Sequence, residues 1–184
     1  MKAVWIILII IVLLAIWAVG SYNGFLKLRN KCQEAFATMD VSLKRRYDLI
    51  PNLVETVKGY AAHEASTLEN VIAARNSAVK ATSSEEKIAS NNDLTSALRS
   101  IFALAENYPE LKANTNFVKL QEQLGQVEDE IAASRRYYNG VVNAYNTKIE
   151  MFPGNILAGM FGFKRNPLYE VNDAAERENV KVSF

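Results

Sequence analysis

A single cysteine, Cys32, stands in the 184 residues, so no disulfide can form within the chain and the sequence gives no sign of an oxidising compartment. Cys32 lies in an apolar rhythm beside Phe36 and reads as a small core residue rather than a reactive thiol. The single histidine, His63, is equally restrictive. His63-Glu64 opens like a zinc-protease helix, but Thr67 occupies the place of the second histidine. A ferritin-like di-iron centre needs two Glu-x-x-His pairs and is excluded by the same count. A Ser-His-Asp arrangement would have to use His63, and no strand-turn nucleophile accompanies it. His63 therefore reads as a structural residue, solvated or hydrogen-bonded. No metal, cofactor or catalytic residue is expected, and the chain reads as a non-enzyme. The formal net charge is only +1, where a nucleic-acid binder would show a basic excess on one face. Between Ser21 and Pro109 proline occurs only at Pro51, and no stretch alternates polar and apolar residues as a half-buried strand would. These absences leave an all-α chain.

What the chain does have is one long apolar run. Ala3 to Gly20 are eighteen consecutive uncharged positions. At 1.5 Å per helical residue they span roughly 27 Å, close to the hydrocarbon thickness of a bilayer. Trp5 lies at one end, with Trp17 and Tyr22 at the other, where amphipathic rings settle at the interface. A cleaved secretory signal is the competing reading, with Lys2 as its charged start and Ala18-Val19-Gly20 as a small-residue site. The run exceeds the usual 7 to 15 residues of a signal core, which favours a retained anchor. Lys27, Arg29 and Lys31 follow the run, whereas only Lys2 precedes it. The more basic flank tends to stay in the cytoplasm, so the N-terminus is expected outside and the rest of the chain inside.

Beyond the anchor, apolar residues recur at steps of three and four: Phe25, Leu28, Cys32, Phe36, Met39, Leu43, then Ile50, Val54, Val57, Ala61, Leu68 and Val71. Such steps place them on one helical face. Pro51 demands either a kink or a restart there, with Asp48 as a possible cap. Ala81 to Ser84 form a loop, and Ser83 with Glu86 has capping-box spacing for a new helix. Tyr108-Pro109 ends that helix, and Asn114 or Asn116 caps the last long one. Its seam runs through Phe117, Leu120, Leu124, Val127, Ile131, Ser134, Tyr138, Val141 and Tyr145, the pattern of a helix packed at a shallow crossing angle. The expected architecture is an N-terminal transmembrane helix followed by an antiparallel, up-and-down bundle. Four helices with breaks near 49, 82 and 112 is its simplest form. One long kinked helix to about residue 80, with two returning helices, is the alternative. The expected divisions are 1–22 for the anchor, 23–150 for the bundle, and 151–184 for an apolar Gly-rich segment with a polar tail, holding at most a short helix around Asp173 to Glu178.

The run from Asp40 to Glu64, DVSLKRRYDLIPNLVETVKGYAAHE, resembles the signature of the bacterial LemA family. So do Ala73-Ala74-Arg75, the stretch from Tyr108 to Asn114, Arg135-Arg136-Tyr137-Tyr138-Asn139, Tyr145-Asn146 and Phe152-Pro153. The resemblance implies one N-terminal membrane helix, an antiparallel helical bundle, a place in the bacterial inner membrane and kinship with magnetosome membrane proteins of the same layout. It implies no reaction and no catalytic residue. The family name was once shared with a sensor kinase, but no Gly-rich nucleotide loop is present here.

Two further groups of residues stand out. Glu64 and Arg75 fall on or beside their helix's apolar stripe, and Glu128 and Arg135 flank the last seam. Seven helical residues separate the last two by about 10 Å, so each needs a partner on another helix. They are read as interhelical ion pairs fixing register, with a polar ligand pocket as the sharper alternative. Lys44-Arg45-Arg46 reads as a solvated face or a surface for acidic partners. Met151 to Phe163 is thirteen residues without charge, too short to span a bilayer. Phe152, Ile156, Leu157, Met160, Phe161 and Phe163 are expected to pack on the bundle, contact the membrane surface or join subunits. Together these features point to a membrane-anchored, self-associating scaffold or partner-binding platform. Its expected partners are the lipid bilayer, further copies of itself and other membrane proteins, and not nucleic acid. An accessory subunit of a membrane enzyme or protease, or a small-ligand site on the buried charges, is the alternative.

Overall fold

The computed structural model describes residues 1–170 and is helical throughout, with no strand among the described residues. In chain order the helices are α1 (Lys2–Lys58), α2 (Ala65–Lys80), α3 (Ser84–Ala105), α4 (Pro109–Lys112), α5 (Thr115–Glu150) and α6 (Gly154–Met160). The short helix expected around Asp173 lies outside the described residues. Two compact units divide the chain: Met1–Thr38 with Ser134–Leu168, and Met39–Ala133 with Tyr169 and Glu170. Both α1 and α5 contribute to each.

The expected break near residue 49 does not occur, and neither does a continuous helix to residue 80. α1 passes through Pro51 and ends at Lys58. A proline inside a helix leaves the carbonyl four residues earlier without its amide partner. Here that carbonyl belongs to Tyr47, and it accepts a hydrogen bond from the Arg75 Nε of α2 at 3.3 Å. Pro51 itself is exposed, so its ring displaces no packed neighbour. Asp48 caps nothing and instead pairs with Lys44 one turn earlier at 2.8 Å. The true break is Gly59 to Glu64, opened by a weak helix former. Ala61 inside that turn is buried, so the apolar stripe keeps its phase across the turn and conceals it.

The later boundaries have local causes. Ser83 accepts from the Glu86 amide at 3.1 Å while the Glu86 carboxylate accepts from the Ser83 amide at 3.2 Å, a complete capping box at the start of α3. Asn114 Oδ1 accepts from the amides of Asn116 and Phe117 at 2.9 and 3.0 Å and caps α5.

In the second unit the core is built from Leu43, Ile50, Leu53 and Val57 of α1, Leu68 and Val71 of α2, Leu94, Leu98 and Ile101 of α3, and Phe117, Leu124 and Ile131 of α5. Cross-helix bonds give the directions. Ser42 meets Glu130 and Tyr60 meets Asn114, so α5 runs antiparallel to α1. Asp40 meets Lys87 and Arg46 meets Thr95, so α3 runs parallel to it.

The first unit packs Phe25, Cys32 and Ala35 of α1 and Tyr138, Val142, Tyr145 and Ile149 of α5 with Leu157 and Ala158 of α6. The extended segment after α6 is held by side chains of α5. Tyr145 donates to the Lys164 carbonyl at 2.9 Å and Tyr138 to the Pro167 carbonyl at 2.8 Å. Asn146 both donates to the Asn166 carbonyl and accepts from its amide, each at 2.9 Å. Positions 138, 145 and 146 share one helical face, so one stripe of α5 supplies these four hydrogen bonds.

Candidate functional site

A buried polar network in the second unit surrounds Arg46. Its side chain is 1% exposed, and Nη1 donates to Glu128 Oε1 of α5 at 2.8 Å. The same nitrogen donates to Thr95 Oγ1 of α3 at 3.0 Å, and Nη2 donates to Asn91 Oδ1 and, at 3.4 Å, to the Asn91 carbonyl. Tyr47 donates its hydroxyl to Asn91 Oδ1 at 2.9 Å. Burial pushes the Tyr47 phenol above its ordinary range, so it stays a neutral donor. Asn91 is itself fixed by donating to the Lys87 carbonyl at 2.7 Å. Among the described residues Arg46 Nε alone is a buried side-chain polar atom without a hydrogen-bond partner. One guanidinium thus joins α1, α3 and α5 through a planar set of donors that a lysine could not reproduce.

The sequence reads Lys44-Arg45-Arg46 as a solvated face or a surface for acidic partners, and the structure corrects both readings for Arg46. Lys44 and Arg45 are exposed and Arg46 is core. The signal was present: Arg46 falls three residues after Leu43 and four before Ile50, on the apolar stripe. Asn91 likewise falls between Ile88 and Leu94 on α3's stripe. Both are polar residues at core positions, the kind that must be hydrogen-bonded when buried.

The four charges singled out from the sequence are placed separately. Glu128 is the acidic partner of Arg46, with its side chain 40% exposed. Arg75 donates to the Tyr47 carbonyl and to Asn76 Oδ1. Glu64 accepts from the Tyr108 hydroxyl at 3.2 Å. Burial raises the Tyr108 pKa first, and the Glu64 carboxylate adds to the rise. Arg135 is half-buried and belongs to the other unit. A cleft of about 270 Å³ lies beside Asp40, Lys44, Tyr47, Asp48, Arg75 and Lys87. Lys44 pairs with Asp48 and Lys87 with Asp40, both at 2.8 Å, while Arg75 bonds the Tyr47 carbonyl and Asn76.

His63 is exposed. Among the described residues no group of three or more His, Cys, Asp or Glu side chains could hold a metal ion. Cys32 is buried, and burial raises its thiol pKa, so it is poorly suited to nucleophilic work.

In the first unit the apolar tail divides. Leu157 is buried, and Phe163 packs edge-on against Tyr22 and Phe25 with centroids at 5.6 and 5.4 Å. Arg29 lies over the Phe163 ring at 5.4 Å. Phe152, Ile156, Met160 and Phe161 are exposed. The apolar run of α1 makes it long and apolar enough to cross a membrane, with none of that window buried in the protein.

The LemA family profile matches residues 35–184, which takes in every residue of the Arg46 network. The chain belongs to the LemA family. It is 28% identical to Protein LemA of Metamycoplasma hominis over 169 residues, 90% of this chain and 75% of that one. It is 24% identical to Magnetosome protein MamQ 2 of Paramagnetospirillum magneticum over 181 residues. That match covers 84% of this chain and 66% of the relative, so the chain spans just under two thirds of the magnetosome protein's length. Magnetosome protein MamQ of Magnetospirillum gryphiswaldense is 23% identical over the same coverage. Within this LemA chain the signature around RRYDLIP has a physical reading: Arg46 and Tyr47 build the buried network, and Pro51 creates the carbonyl that Arg75 satisfies.

Proposed function

We propose that the protein is a membrane-anchored, non-enzymatic platform. In this reading the first third of α1 spans the inner membrane, with the N-terminus outside and the rest of the chain in the cytoplasm. The second unit is an up-down-up-down bundle of α1, α2, α3 and α5 that presents its outer faces to further copies and to other membrane proteins. The observation that carries this reading is the use made of the buried polar groups. Arg46, Tyr47, Asn91, Arg75 and Glu128 each make at least one hydrogen bond to another helix, which makes a stiff bundle with fixed register. Exposed apolar residues such as Val41, Ile72 and Val79 supply contact surface, and anchoring in two dimensions raises the effective concentration of copies. Every charged residue lining the cleft is engaged by another protein group, Lys44 and Lys87 in ion pairs and Arg75 in hydrogen bonds, which supports the structural role over a ligand site.

Alkaline carbonate extraction of the full chain tests the anchor, which predicts retention in the membrane pellet. Chemical cross-linking in native membranes tests the platform, which predicts a ladder of multiples of the protomer mass. A soluble or solely monomeric protein would end this reading.

A further inference from the structure

The tail of the first unit carries apolar surface that its own unit does not use. Phe152 is 79% and Met160 74% exposed, with Ile156 and Phe161 also open, while Leu157 and Ala158 on the opposite side of α6 are buried. This is a short apolar element with one side packed on its own unit and Phe152, Ile156 and Met160 left open on the other.

Its position on α1 is fixed. Phe161 packs edge-on against Tyr22 with centroids 4.9 Å apart, and Phe163 holds both Tyr22 and Phe25. Gly154 at the start of α6 sits so close that an added Cβ would meet the Phe25 ring at 3.2 Å and the Lys148 carbonyl at 3.1 Å. Phe152 and Pro153 line one cavity of about 590 Å³ with Trp17 and Ser21. Trp17 is within the apolar run, and Tyr22 is two residues beyond Gly20, where that run ends. At 1.5 Å per residue Tyr22 lies roughly 3 Å past the run and Phe25 roughly 7 Å. The headgroup layer on each side of a bilayer is about 5–7 Å thick. Groups in contact with Tyr22 and Phe25 therefore lie at headgroup level.

We infer that α6 and its flanks form an interfacial element that inserts Phe152, Ile156, Met160 and Phe161 into the leaflet from which α1 emerges. The occupant of this apolar face is the lipid surface. Interfacial elements of this kind bury their apolar side roughly 5–10 Å into the headgroup and acyl boundary. Exposed cations lie on its neighbouring segments: Arg29 on α1, Lys148 on α5 and Lys164 after α6, with Arg165 paired to Glu150 at 3.1 Å. Such cations suit anionic headgroups. The element clamps the membrane end of α1 to the end of α5 and fixes the first unit against the bilayer, instead of leaving it on a free helical stalk. This inference rests on the membrane-spanning reading of α1.

The experiment uses the full chain with Cys32→Ala, reconstituted as one copy per lipid nanodisc of phosphatidylcholine and phosphatidylglycerol. An environment-sensitive fluorophore is placed at Met160→Cys, or separately at Leu13→Cys, and circular dichroism checks that helix content is kept. Quenching by lipids carrying nitroxide at shallow depth should reduce emission at position 160, and deep nitroxide should reduce it at position 13. Introducing Phe152→Glu and Ile156→Glu should shift the emission at 160 toward that of a water-exposed dye. Quenching at 13 without quenching at 160 overturns the inference and leaves the anchor standing. Loss of quenching at both positions removes the anchor and the inference together. Shielding at 160 only in discs holding two copies assigns the face to a second subunit and also overturns the inference.

Discussion

Truncating Arg46 probes the bundle where it is most constrained. Arg46→Ala deletes a charge-assisted bond to Glu128, a bond to Thr95 and two bonds to Asn91. The groups left behind are largely provided for. Thr95 still donates to the Asn91 carbonyl at 2.9 Å, Asn91 Oδ1 keeps the Tyr47 hydroxyl, and the two-fifths exposed Glu128 turns to water. The expected loss is therefore the charged hydrogen bonds, about 1.5–3 kcal/mol, plus the packing of a large buried side chain, for a total of about 4 kcal/mol. Glu128→Ala leaves the buried guanidinium without its counter-charge. A fully buried broken pair costs about 3–5 kcal/mol, but water can enter where the partly exposed carboxylate stood, so about 2 kcal/mol is expected. Arg45→Ala is the control, since its pair with Glu130 is exposed on both sides and is worth under about 1 kcal/mol. Replacing the buried pair with apolar groups, Arg46→Met with Glu128→Leu, should recover most of the loss. Thermal melts of the full chain in mild detergent, followed by circular dichroism, read these differences at roughly 2–4 °C per kcal/mol. If Arg46→Ala melts no lower than Arg45→Ala, the guanidinium does not hold the bundle together and the reasoning fails.

The link between Pro51 and Arg75 is open to a double-mutant cycle. Arg75→Ala alone should cost about 1–2 kcal/mol by orphaning the Tyr47 carbonyl, whereas in a Pro51→Ala background, which restores the amide, the loss should shrink, and additive losses would dismiss the link. Ser83→Ala should destabilise α3 by about 1 kcal/mol in the same melts. The Thr82 and Ser83 amides, with the Thr82 hydroxyl, hold the Glu86 pKa below its ordinary value. The resulting stabilisation is full above the unfolded value of about 4.3 and disappears as the pH falls through the lowered folded value. The melting difference between the unmodified chain and Glu86→Gln should therefore narrow on acidification, and a gap that widens would contradict the cap. Tyr145→Phe removes the donor to the Lys164 carbonyl and should speed proteolysis at the Lys164-Arg165 site without changing helix content; unaltered cleavage would show that this bond does not fasten the segment.

The helical class, the capping box at Ser83 and the Asn114 cap were legible because each depends on residues close in sequence. The break at Gly59 was not, because buried Ala61 keeps the apolar phase through the turn and a three-four pattern records burial, not helicity. Passage of α1 through Pro51 was illegible for a different reason: its compensation comes from Arg75, on another helix. Arg46 was hidden by its neighbours. Two exposed cations beside it made a triplet that looked solvated, although its register with Leu43 and Ile50 placed it inside. The division of the apolar tail into a packed side and an open side depends on which face of α6 meets Tyr22 and Phe25, which residue order does not specify.

The central claim, a platform of several copies held at a membrane, is tested most directly by native mass spectrometry of the full chain extracted with its surrounding lipids in polymer-bounded discs. The account predicts discrete multiples of the 20.6 kDa protomer with lipid attached. A single copy in every disc, or recovery of the protein outside lipid altogether, would contradict it.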